Sequence, residues 1–395
     1  DMLEAALTAG LCSMGAKVIP LGVVPTPAVA YLTRYYKADA GVVISASHNP
    51  CEYNGIKFFN SDGYKLSDGI ENEIESYILG EKAIEELPTH GKVGYVSANH
   101  NAVEDYVAFA VSTIDCRLDG MKIAVDCANG ASYETAFKAL NKLGANVEAI
   151  HNTPDGVNIN HMCGSTHMES LQAYVTSIGA DIGIAFDGDA DRMLAVDENG
   201  NLIDGDQIMA ACAKFMRDNG TLKQNTLVAT VMSNLGLFMA GEKIGINIPR
   251  TKVGDRYVLE EMLAKGYNIG GEQSGHIIFL DHNTTGDGLV SALQFLSVLK
   301  KTGMKASEAA SIVTVMPQVL RNAVVKLENK NSYMENEEIA AACKALEDEF
   351  AGEGRVLIRP SGTEPLVRVM IEGKDEEYIT KKAEELAELI EKILG

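Results

Sequence analysis

The chain has 395 residues, with 55 Asp and Glu against 34 Lys and Arg, a formal net charge of −21 and a pI near 4.8; its length suits roughly two to four domains. A field of that sign repels nucleic-acid backbones and anionic membranes, so neither is an expected partner, and an anionic ligand needs the scarce cations gathered in one place. Seven scattered cysteines without a Cys-x-x-Cys pair, and no apolar run near the roughly 20 residues that span a bilayer, read as a reduced cytoplasmic protein lacking a thiolate zinc site.

Asp1-Met-Leu-Glu-Ala-Ala-Leu7 opens in the middle of a helical pattern with neither an N-cap nor a preceding strand, so an upstream segment is expected. Short apolar strands then alternate with helix-length patterns, the signature of βαβ units and an α/β fold. The clearest strands are Ala40–Ile44, Lys122–Val125, Asp181–Phe186 and Leu227–Val231, and helices are expected near 134–143, 205–218 and 287–301. Three times a helix ends in glycine and leads into a strand, at Gly15–Val18, Gly144–Val147 and Gly245–Ile248. Each time a second helix, a further strand and a polar loop follow, which predicts three related α/β domains. Beyond residue 318 the strands Asn322–Leu327, Arg355–Ile358 and Leu366–Ile371, with a charged helix and a long amphipathic one from Glu376, describe a smaller α+β domain. The expected domains are 1–98, 99–200, 201–314 and 318–395.

Ligands of open α/β sheets sit beyond the carboxyl ends of strands, which is where the polar loops fall. Ser45-Ala-Ser47-His48-Asn49-Pro50 ends in a proline that stops a helix, leaving Ser47 on a loop with His48 and Lys57 as bases for a nucleophilic hydroxyl; a Ser/Asn turn capping a strand is the plainer alternative. Asp187, Asp189 and Asp191 alternate as hard oxygen ligands for one divalent cation. An EF-hand is set aside, because Arg192 stands where that loop requires glycine and strands flank it. Gly271-Glu-Gln-Ser-Gly-His276 offers a carboxylate and a hydroxyl that suit sugar hydroxyls, or a simple tight turn. Arg359-Pro-Ser-Gly-Thr-Glu-Pro365, with Arg368 beyond it, joins two strands through small residues whose N–H groups form an anion nest. Lys252 and Arg256 add cations to the third domain.

Taken in order, Ile44-Ser-Ala-Ser-His-Asn-Pro50 with Asn54-Gly-Ile-Lys-Phe58, Phe186-Asp-Gly-Asp-Ala-Asp-Arg192, Gly271–His276 and Arg359–Pro365 resemble the motifs of the α-D-phosphohexomutase family over the whole chain. The resemblance implies three α/β domains and a smaller C-terminal α+β domain around a central cleft. It implies a phosphoserine at Ser47, whose phosphate completes a Mg2+ site with Asp187, Asp189 and Asp191, and a general acid/base at Lys57 and His48. Glu272 and Ser274 then grip the sugar, and Arg359, Ser361, Gly362, Thr363 and Arg368 clamp the phosphate that does not react, with Arg192, Lys252 and Arg256 as further substrate contacts. The expected partner is a small phosphosugar, with glucose or glucosamine 1,6-bisphosphate as activator; a homodimer is allowed but not required. Within the family, Ile44–Pro50 and Gln273 point to glucosamine phosphate, with mannose or glucose phosphate, or a sugar-phosphate sensor without catalysis, as alternatives. Members normally begin with a strand, a Gly-Thr-Asp-Gly loop and a Gly-Arg-Asp-Thr-Arg segment, none of which is here, so the first domain is expected to be incomplete in this sequence.

Overall fold

The computed structural model describes residues 1–84, 86–98, 101–333, 335–361 and 364–395. They form two compact units, residues 1–232 with 244–312, and residues 233–243 with 313–395.

In the first unit one βαβαβ pattern recurs. Its fullest copy runs from strand Lys122–Asp126 through helix Ser132–Lys142, strand Asn146–Ile150 and helix Glu169–Ile178 to strand Ile182–Phe186, after which Met193–Val196 turns back antiparallel. The five-stranded sheet, closed by Leu202–Ile203, places Lys122–Asp126 between the other two parallel strands. Ile182–Phe186 is wholly buried because Leu171 and Val175 of the helix before it lie against its glycine; a Cβ on Gly183 would meet Val175 at 2.6 Å. Another copy, third in chain order, gives a four-stranded sheet with Val228–Thr230 between Arg250–Thr251 and Ile269–Gly271, edged by antiparallel Ile277–Phe279.

The repeated helix-to-strand glycines have a common cause. Gly15, Gly144 and Gly245 all turn their helices into strands with φ of 89°, 89° and 67°, a left-handed backbone that side chains resist. In the third copy the strand begins later than the expected Gly245–Ile248: Asn247 makes a single bridge to Thr226, Pro249 has no N–H to donate, and pairing starts at Arg250.

The first copy differs. Lys17–Val18 pairs with Tyr95–Val96 and Ala40–Ser45 pairs antiparallel with Gly55–Asn60, so the two strands belong to separate two-stranded sheets where the other copies have one strand between their counterparts. Helix Met2–Ser13 has no buried residue, and Met2 is 79% exposed.

The second unit is a three-stranded antiparallel sheet in the order Gln318–Val324, Leu366–Glu372, Arg355–Pro360. Helices Glu337–Phe350 and Glu376–Leu394 pack on the face bearing Val319, Ala323, Val367, Val369 and Ile371. Residues 233–243 join it through polar bonds: Asn234 exchanges two hydrogen bonds with the Met316 backbone (3.0 and 2.9 Å), the Leu235 N–H donates to Glu372, and Arg355, paired with buried Glu372 at 2.6 Å, donates to the Ser233 carbonyl. Among the described residues no helix is long and apolar enough to cross a membrane.

Candidate active site

Strand Ala40–Ser45 delivers Ser47 at its carboxyl end, on a loop where Ser47 takes a left-handed φ of 56°. The Ser47 N–H donates to Ser45 Oγ at 2.8 Å, and His48 Nδ1 stands 3.3 Å from Ser47 Oγ. Burial, then the nearby Arg192 charge, push the His48 imidazole below its usual range, which favours its neutral form.

The loop after Ile182–Phe186 places Asp187, Asp189 and Asp191 so that one ligand atom of each lies within 4.8 Å of the others. Asp189 is the hub. Its Oδ2 accepts from Lys57 Nζ (2.6 Å), Thr26 Oγ1 (2.9 Å) and Ser45 Oγ (3.1 Å), so the serine loop and the acidic loop meet on one oxygen. Asp187 Oδ1 accepts the Arg192 N–H at 3.1 Å. The remaining oxygens, Asp187 Oδ2, Asp189 Oδ1 and Asp191 Oδ1, are buried without a hydrogen-bond partner. Three orphaned carboxylate oxygens on one clustered triad are costly unless a cation takes them, and an all-oxygen donor set suits a hard divalent ion.

The electrostatics agree. Burial, followed by the charges of Asp191 and Asp189, holds Asp187 well above the usual carboxylate range. Burial would lift Asp191 too, but His276, Lys57 and Arg192 hold it below that range. For Lys57 burial lowers the ammonium, and Asp189 and Asp191 outweigh it, so its pKa is raised. Below the raised Asp187 pKa the cation-free triad holds a proton there that a metal must displace. Divalent affinity should rise with pH, by roughly tenfold per unit below the raised Asp187 pKa, with a proton released on binding. Calorimetric titration with Mn2+ in buffers of differing ionisation enthalpy checks this; equal affinity and no proton release at pH 5.5 and 8 would remove Asp187 from the ligand set.

His276, quoted within its motif but given no role by the sequence, is buried with Nδ1 3.6 Å from Asp191 and Nε2 3.6 Å from Asp255. Burial opposes its protonation, and the two carboxylates overcome that and raise its pKa. The turn before it is built on Gly275, whose Cβ would strike the Met193 carbonyl at 2.3 Å. Glu272 accepts the Gly254 N–H at 3.1 Å, and Ser274 is exposed. Gln273 donates to Asp204, the N-cap of helix Gly205–Asp218, at 3.0 Å, so any discrimination it exercises acts through the loop.

The remaining cations divide. Arg256 is tied to Asp68 and to Glu260, whereas Lys252 lies over the Tyr257 ring at 5.6 Å with no carboxylate partner among the described residues. Arg192 Nε lies 3.8 Å from Asp191. In the second unit Arg359 and Arg368 sit directly opposite each other on antiparallel strands, a like-charge pair that is destabilising by itself. Arg368 reaches Glu364 only at 3.4 Å and leaves Nε buried without a partner, and burial together with the Arg368 charge lowers the Arg359 pKa. Ser361, 4% exposed, starts the connecting loop, where Lys330 donates to its carbonyl at 2.8 Å. Gly362 and Thr363 lie outside the described residues.

A serine and a basic nitrogen bonded into a carboxylate triad, with a separate arginine pair, are the parts of a phosphoryl-transfer enzyme. The chain matches the phosphoglucomutase/phosphomannomutase family in all four of its domains: α/β/α domain I over residues 1–85, domain II over 103–200, domain III over 204–316 and the C-terminal domain over 323–389. It belongs to that family. Phosphoglucosamine mutase of Ruminiclostridium cellulolyticum is 63% identical over 391 residues, covering 99% of this chain and 87% of that relative. Among solved structures, a phosphoglucomutase/phosphomannomutase family protein from Burkholderia thailandensis shares the fold with a TM-score of 0.80 at 22% identity, covering 98% of this chain and 85% of that one. Aspergillus fumigatus N-acetylphosphoglucosamine mutase, solved in complex with GlcNAc-6P and magnesium, does so with a TM-score of 0.68 at 19% identity, covering 94% and 93%.

Proposed function

We propose that the protein interconverts glucosamine 6-phosphate and glucosamine 1-phosphate in the cytoplasm, through a phosphorylated Ser47 and a 1,6-bisphosphate. The convergence of Ser45, Lys57 and Thr26 on Asp189 carries the reading, because it welds a strand-end serine to an acidic site with oxygens to spare. The 63% identity to a phosphoglucosamine mutase supports the sugar.

In the forward direction the phosphoryl on Ser47 Oγ passes to O1 of glucosamine 6-phosphate: the Oγ–P bond breaks, the O1–P bond forms, and the O1 proton leaves to a base. After the bisphosphate reorients, its 6-phosphoryl returns to Oγ and O6 takes up a proton. His48, neutral and 3.3 Å from Oγ, exchanges protons there, while Lys57 keeps its ammonium against Asp189. Mg2+, held by the three aspartates and a Ser47 phosphate oxygen, supplies charge compensation when bound. Arg192 and Lys252 add positive charge; Arg256 does so only on release from Asp68. Glu272 and Ser274 orient sugar hydroxyls. Arg359, Ser361, Gly362, Thr363 and Arg368 hold the idle phosphate; two facing arginines read charge and so accept either end of the bisphosphate. The working domain limits are 1–98, 99–200, 201–314 and 318–395.

With a trace of glucosamine 1,6-bisphosphate as primer, kcat/KM for glucosamine 6-phosphate should exceed that for glucose or mannose 6-phosphate by about tenfold or more. Preference for another hexose would overturn the sugar assignment alone. Binding of all three without turnover of any would leave a sensor.

A further inference from the structure

Ser47 adopts a backbone conformation that residues other than glycine seldom take, so something must hold it. Its N–H is held within its own loop by Ser45. Its carbonyl is held from far along the chain: the Asn160 side-chain amide donates to Ser47 O at 2.9 Å and to Asn49 O at 2.8 Å. These two carbonyls bracket His48, so one NH2 group pins the peptide carrying both the hydroxyl and the imidazole of the site.

The pin is itself fixed. Asn160 is 7% exposed, has φ of 57°, and its N–H donates to Ala128 O at 2.9 Å. The Ala128 N–H in turn donates to Asp126 Oδ1 at 2.8 Å, and Asp126 Oδ2 receives the Gly164 N–H and faces His151 Nδ1 at 2.9 Å. On the other side is Gly188, between two of the triad aspartates, where a Cβ would lie 2.5 Å from Ser47 O and 2.7 Å from Asn160 Nδ2. The Ser47 carbonyl is thus sandwiched between the acidic loop and the asparagine. Asn160 Oδ1 is buried without a partner, a cost that the two donated bonds must justify.

We infer that Asn160 is a positioning residue that aims Ser47 and His48 at the carboxylate triad. The inference rests on the reading of Ser47 as phosphoryl carrier. Asn160→Asp keeps size and tolerance of positive φ but turns an oxygen toward two carbonyl oxygens; Asn160→Gly keeps the backbone freedom and deletes the amide. Both should lower kcat about a hundredfold and leave KM for glucosamine 6-phosphate and Mg2+ affinity within about threefold, because aim is lost and binding is not. Phosphorylation of Ser47 by glucosamine 1,6-bisphosphate, followed by intact mass, should slow by the same factor as kcat. A merely structural role would move KM, metal affinity and the unfolding temperature together. A kcat within threefold of the parent in either variant, a matching loss of Mg2+ affinity, or failure of both variants to fold overturns the inference. If Ser47→Ala also keeps turnover, the carrier reading has failed; if that variant is dead while the Asn160 variants are active, only the positioning role has.

Discussion

Ser47→Ala should abolish mutase turnover, by about four orders of magnitude or more, and leave the fold intact. On the proposed mechanism the substitution removes the oxygen that gives up one phosphoryl and takes back another, and no binding energy elsewhere replaces a covalent carrier. Its structural cost is small. Ser47 is only half-buried, its hydroxyl has a single side-chain neighbour at 3.3 Å, and alanine presents the same Cβ to the left-handed backbone, so stability should change by no more than about 0.5 kcal/mol. Intact mass should show one phosphate on the parent and none on the variant. Full turnover by the variant would sink the mechanism.

Asp189→Asn should be nearly as severe, for two separable reasons. The charge of a proposed metal ligand is lost, and whichever way the new amide turns, an NH2 group faces either the Lys57 ammonium or the neighbouring carboxylate oxygens. Divalent affinity should fall more than about tenfold and kcat by about a thousandfold. Removing one partner of a buried ion pair can cost about 3–5 kcal/mol, but Lys57 is 28% exposed and Asp191 stands 3.9 Å away, so a loss nearer about 1–2 kcal/mol is expected. Calorimetry with Mg2+, thermal unfolding and an assay in excess chelator separate the two effects; activity that survives the chelator would reduce the triad to a structural turn.

What the sequence reveals and what it hides follow from how far apart the interacting residues lie. Helix Gly205–Asp218 was legible as a range because its stop and start are local: Asp204 caps it, Gln207 completes a capping box, and Asn219 closes it. Ile182–Phe186 was legible because a strand buried on both faces is a continuous apolar run. The alternate aspartates and the proline-terminated serine loop announced themselves in the same way. Thr26 and Asn160 did not, since each acts across more than a hundred residues of chain and neither belongs to a motif of its own. Asp-Gly-Asp spacing suggested a cation; that its glycine makes room for the Ser47 carbonyl required the tertiary structure. Arg359 and Arg368 could be read as cations, but their face-to-face register is a property of the sheet.

The C-terminal unit is stitched from two stretches of chain, and this sets a timetable for its assembly. Residues 233–243 leave the ribosome among the strands of the third repeat, whereas the groups that satisfy them arrive with Met316, Arg355 and Glu372, the last 137 residues after Leu235. Until then the Leu235 N–H and the Asn234 amide nitrogen await the acceptors they have in the folded unit. Residues translated much later are therefore needed to finish a segment made earlier, and a nascent chain halted before Glu372 carries that segment unsealed.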